Sequence, residues 1–74
     1  MTIAELMDHT IIGSIKSIED YMESKSPVEQ LFETRRLLDQ LKSTDLRETY
    51  KVVAIFRLNK WAKIATDGLN KGKQ

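Results

Sequence analysis

Residues 46–69 read LRETYKVVAIFRLNKWAKIATDGL. Tyr50, Val52, Val53, Ile55, Phe56, Leu58, Trp61 and Ile64 spread over more than half a helical circumference at about 100° per residue. A helix that faces one neighbour needs an apolar stripe of only about 100°. The excess predicts a helix set between two others, or against a second copy of the chain.

Size sharpens that expectation. The chain has 74 residues, enough for one domain (1–74) with a thin core. It contains no cysteine, and His9 is its sole histidine. Disulfides are therefore absent, and a zinc staple lacks ligands. No metal or cofactor is expected. Oligomerisation is the remaining common remedy for a small core. A cysteine-free chain also fits a reducing cytoplasm.

The net charge of +1 conceals a division. Residues 1–50 carry six basic and ten acidic side chains, and residues 51–74 carry six basic and one acidic, Asp67. The simplest reading is complementarity between an acidic first half and a basic last helix. The opening TIAELMDH lacks the basic flank and apolar run of a signal peptide, and no stretch approaches the ~18–20 apolar residues of a membrane span. A soluble protein is expected.

Punctuation divides the chain into three helices, at about 3–23, 27–42 and 45–67. The first is capped by Thr2 with Glu5 three residues on, and Ile3, Met7, Ile11, Ile15, Ile18 and Met22 form one stripe. It is expected to run through. Its weak point is Thr10–Gly13, where the alternative is a kink or a restart capped by Ser14. The second helix opens on Ser26, Pro27 and Glu29, with Val28, Leu31, Phe32 and Leu38 marking its inner face and Leu37 and Leu41 widening it. The third is capped by Thr44 or Asp45 and ends at Gly68, placed for the left-handed C-terminal conformation. Residues 70–74 read as a frayed basic tail. Short connections predict an up-down-up bundle.

Catalytic chemistry finds no support in this pattern. There is no Cys–His pair and no glycine-rich phosphate loop, and Asp8 beside His9 points to another side of a helix. Glu19, Asp20 and Glu23 read as a solvated helical face. They lack the turn and glycine of a calcium loop.

A more informative constellation is Tyr50, Val53, Arg57, Trp61 and Ile64, which share one stripe of the last helix. Tyr, Trp and Arg dominate binding hot spots, so this stripe is the candidate protein interface. Its alternative is structural, with Arg57 snorkelling or paired to a carboxylate of another helix. Arg35 among Leu31, Phe32 and Leu38 poses the same question. Trp61 between Lys60 and Lys63 resembles a membrane-surface helix, but Val52 and Phe56 fall near the lysine side, so no membrane partner is expected.

Nucleic acid is the competing partner. Lys60, Lys63, Lys71 and Lys73, with Lys51 and Arg57, could neutralise phosphates. A helix-turn-helix would present Arg47, Glu48, Thr49 and Lys51, where Glu48 and Asp45 repel phosphate. The preferred reading is an all-α, non-enzymatic interaction or regulatory protein, homodimeric through its third helix. On this reading Ile55, Leu58, Ala62, Ala65 and Leu69 pack on the chain's own first two helices. The Trp61 side then meets a second copy or target, with Arg57 needing an acidic partner across the axis. The two sides are interchangeable at this level.

Overall fold

The computed structural model describes residues 1–72. Regular structure among them is entirely helical, with α1 at Ile3–Leu6, α2 at Ile11–Glu23, α3 at Pro27–Leu41 and α4 at Glu48–Gly72. No strand occurs among the described residues, so the all-α class holds. No described helix is long and apolar enough to cross a membrane.

The first helix forms with its expected capping box. The Glu5 carboxylate accepts from the Thr2 amide at 3.0 Å, and the Thr2 hydroxyl accepts from the Glu5 amide at 3.3 Å. It does not continue to residue 23. Met7 is extended, and α2 restarts at Ile11 with Thr10, not Ser14, as its cap. The break is stable because its backbone groups find polar partners. The Thr10 hydroxyl accepts from the Gly13 amide at 2.9 Å, and the Ser14 hydroxyl accepts from the Asp8 amide at 2.9 Å. Tyr50 donates to the His9 carbonyl at 2.6 Å. The bend turns Ile3 and Leu6 into the core, where they are 0% and 4% exposed.

α3 has the capping box of Ser26 and Glu29, with Pro27 in the first turn. Its inner face differs from the expected one. Gln30, Thr34, Leu37 and Leu41 are buried, whereas Val28 and Phe32 are 63% and 67% exposed. Two polar residues occupy the inner face because each is satisfied there. Gln30 donates to the Met22 carbonyl at 2.9 Å, closing the last turn of α2, and Thr34 donates to the Gln30 carbonyl at 2.6 Å.

α4 is 25 residues long, which at 1.5 Å per residue is about 37 Å. It accounts for most of the 41 Å long axis of the molecule. It begins at Glu48 rather than 45, because Thr44 turns back to donate to the Gln40 carbonyl at 2.7 Å and ends α3 instead. No glycine has positive φ, so Gly68 does not stop the helix, and residues 70–72 are helical rather than frayed. Its missing side chain has another use: a Cβ there would lie 3.3 Å from Pro27 Cγ, so the glycine lets α4 pass close to the start of α3.

The core joins Ile3, Leu6, Ile18, Met22, Leu37, Leu41, Ala54, Leu58 and Trp61. α4 packs along α3 and against α2, and the short α1 touches both α2 and α3. Near the turn that joins them, α2 and α3 are tied directly through Gln30 to Met22 and Tyr21 to Glu33.

Candidate functional site

The stripe expected to be an interface is largely occupied within the chain. Trp61 is buried at 7% exposure, while Tyr50 and Val53 are half-buried. Arg57 Nη1 donates to Glu19 Oε1 at 3.3 Å, so its counter-charge comes from α2 of its own chain rather than across a dimer axis. Only Ile64 of the five is open, at 41%. The opposite set is also covered: Leu58 and Ala65 are buried, Ala62 and Leu69 half-buried, and Ile55 is 42% exposed. The expectation that one of these sides faces away from the chain is corrected. α2 and α3 flank α4 on two sides, and between them they cover both sets except Ile55 and Ile64, which stay partly open.

The uncovered apolar surface of α4 is a third side. Val52 and Phe56 are 57% and 69% exposed and lie four residues apart, with Ile55 at their edge. A four-residue separation places two side chains one above the other on a helix. Asn59, Lys60 and Lys63 continue this outer face and are exposed. Lys71 is exposed as well, and Lys73 lies outside the described residues. Among the described residues, no carboxylate comes within 4.0 Å of Lys60, Lys63 or Lys71.

A second surface feature lies on α3. Met1, Val28 and Phe32 line an open groove of about 540 Å³ together with Lys25, Glu29, Glu33 and Arg36. One wall is a polar cluster. Arg36 donates to Glu33 through Nε at 2.6 Å and through Nη2 at 3.0 Å, and the same Nη2 reaches the Met1 carbonyl at 2.6 Å. The Tyr21 hydroxyl donates to Glu33 Oε1, the oxygen that also accepts from Arg36 Nη2. The Arg36 guanidinium, with help from Tyr21, holds the Glu33 carboxyl at about 2. The Glu33 bond in turn raises the Tyr21 phenol and Arg36 above their ordinary values. Arg36, not Arg35, therefore carries the paired guanidinium of α3, and Arg35 is exposed.

The Glu33 carboxylate accepts three hydrogen bonds, from Arg36 Nε, Arg36 Nη2 and the Tyr21 hydroxyl. Among the described residues there is no group of three or more His, Asp or Glu side chains able to hold a metal. His9 stands 3.8 Å from Asp8 with a side chain 96% exposed. Among the described residues, one buried side-chain polar atom is unpartnered: Trp61 Nε1 has no hydrogen-bond acceptor. An orphaned donor of this kind costs about 1–3 kcal/mol.

The apolar surface of α3 escaped the reading of the sequence, because Val28 and Phe32 are large and apolar and hydropathy assigns such side chains inward, whereas Val52 and Phe56 stand, as their spacing suggests, near the lysine side of α4. The available signal was competition between stripes. In α3, Leu37 and Leu41 oppose Val28 and Phe32 around the helix, and both pairs cannot face one core. Comparisons with protein-family models, curated proteins and solved structures returned no match.

Proposed function

We propose that this chain is a non-enzymatic interaction protein that works by occupying a surface of another protein, and that it pairs with a second copy through the outer face of α4. On this reading residues 1–74 form one domain, with α2, α3 and α4 running up, down and up in a reducing cytoplasm. Gly68 beside Pro27 and Tyr50 beside His9 support that path.

The observation that carries the reading is the exposure of Val52, Ile55 and Phe56 on the helix that otherwise forms the centre of the molecule. Apolar groups clustered on one face of a small chain are a recurrent mark of association. Charge favours an antiparallel pairing about Phe56. A parallel pair would bring Lys60 and Lys63 against their own counterparts. An antiparallel pair sets Lys63 near Glu48 of the other copy and lays the Lys60 stem over Val52. The mechanism is then competitive or conformational, without bond-making.

Light scattering at tens of micromolar tests this. The parent chain should show dimer mass, and Phe56→Asp should show monomer mass with unchanged helical circular dichroism. A monomeric parent sinks the pairing. A titration with duplex DNA and single-stranded RNA at two salt concentrations tests the rival. Steeply salt-dependent binding, lost when Lys60, Lys63, Lys71 and Lys73 are changed together, would replace the protein-binding reading with a nucleic-acid one.

A further inference from the structure

We propose that the arm Met1–Leu6 exchanges between two copies of this chain, with Met7–Thr10 as the hinge and the straightened helix 3–23 as the open form. The exchange uses none of the outer-face residues of α4 and is independent of pairing there.

The arm is held by contacts with distant residues. α1 has four residues, far fewer than an isolated helix needs. It is seated by burial of Ile3 and Leu6, by the Ile3 amide donating to Gln40 Oε1 at 2.8 Å, and by Arg36 donating to the Met1 carbonyl at 2.6 Å. Gln40 and Arg36 lie outside the arm and its hinge. A second copy therefore offers the same seat, atom for atom.

The hinge has two helical solutions. Residues 7–10 contain neither proline nor glycine, and Ile3, Met7, Ile11, Ile15, Ile18 and Met22 would form one unbroken stripe in a straight helix. The closed form is selected by local polar bonds instead. Thr10 caps α2, Ser14 holds the Asp8 amide, and Tyr50 holds the His9 carbonyl. Gly13 is part of the same selection. A Cβ there would stand 1.9 Å from Asp8 Oδ2 and 2.7 Å from Thr10 Oγ1. In the bent hinge a methyl at residue 13 would push the Asp8 carboxylate aside and crowd the Thr10 hydroxyl that caps α2, which favours the straight helix.

Geometry brings the exchange within reach. The hinge is tied to Tyr50 near the start of α4, and the seat is tied to Gln40 near the end of α3, so both lie at the end where α3 passes to α4. Straightening would project the arm and hinge about 12 Å beyond that end. A second molecule meeting it there, related by a two-fold axis, presents its own vacated seat. Every arm contact is then re-made in the other copy. The balance rests on the hinge bonds and on concentration, as in domain exchange generally.

Sedimentation and light scattering on the full chain, Thr10→Ala and Gly13→Ala test the proposal. Loss of the Thr10 cap should favour the open hinge by about fivefold, and on the order of 25-fold in the dimer constant, since a dimer holds two hinges. Gly13→Ala should act in the same direction. Adding Ile3→Asp to Thr10→Ala should remove the gain, and adding Phe56→Asp should leave it. A donor dye on Ala4→Cys of one copy should transfer to an acceptor on Lys42→Cys of another in the Thr10→Ala, Phe56→Asp background, where pairing through α4 is removed. This readout stands even if Ile3→Asp fails to fold. The proposal is overturned if neither hinge variant changes the mass distribution, if Phe56→Asp abolishes the gain, or if no transfer between copies occurs.

Discussion

Arg57 on α4 donates to Glu19 on α2 across 3.3 Å, with the two side chains 29% and 23% exposed. The guanidinium that interrupts an apolar stripe is thereby neutralised by the helix packed against that stripe. Its long stem adds apolar cover while its head stays near solvent. A double-mutant cycle with Arg57→Ala and Glu19→Ala should give a coupling of about 0.5–1 kcal/mol in urea unfolding, falling as salt rises. Zero coupling at low salt would mean that the pair does not form in solution.

The Glu33 cluster makes stability depend on acid. Its carboxyl titrates at about 2 in the folded chain against an ordinary value of 4.5. A depressed carboxyl contributes stability that is complete above the ordinary value and is lost as pH falls from about 4.5 toward 2. Partial exposure of Arg36, at 30%, limits the contribution to about 1–2 kcal/mol. Glu33→Gln should remove that fraction of the acid dependence in melts recorded between pH 5 and 2. An unchanged slope would assign the acid dependence to other groups.

The two faces of α3 should respond differently to truncation. Leu37 is fully buried, and Leu37→Ala should cost about 2–5 kcal/mol. Phe32 is 67% exposed, and Phe32→Ala should stay within about 0.5 kcal/mol. Chemical denaturation of both variants checks this, and a reversed order would restore the inner face that hydropathy suggests.

The unpartnered indole of Trp61 separates ring size from hydrogen bonding. Trp61→Phe removes an orphaned donor along with part of the ring, and the two effects oppose each other. It should cost less than about 1.5 kcal/mol, whereas Trp61→Ala should cost about 3–5 kcal/mol. Emission from Trp61 should be blue-shifted in the folded chain and shift red on unfolding. A solvent-exposed emission maximum in the native protein would contradict its burial.

Helix starts were legible where the deciding bonds are local. Thr2 with Glu5, and Ser26 with Pro27 and Glu29, act within three residues, so reading neighbours in order was enough. The excess apolar perimeter of residues 46–69 was legible too, and Val52, Ile55, Phe56 and Ile64 do remain exposed. Which side stays uncovered was not. Tyr50, Val53, Arg57 and Trp61 looked like an outward stripe until α2 was seen against them.

By itself the sequence determined the all-helical class, the turn at residues 24–26 and a last helix too greasy for one neighbour, because these depend on composition and on bonds spanning three or four residues. Only tertiary structure decided the break at Met7–Thr10, the inward turn of Gln30 and Thr34, and the outer face of α4. The Met7–Thr10 break leans on Tyr50, 41 residues away, and on a seat for Ile3 at Gln40, 37 residues away. A helix carries no inside or outside until its neighbours are placed, and the placement of those neighbours is a sum of contacts distant in the chain.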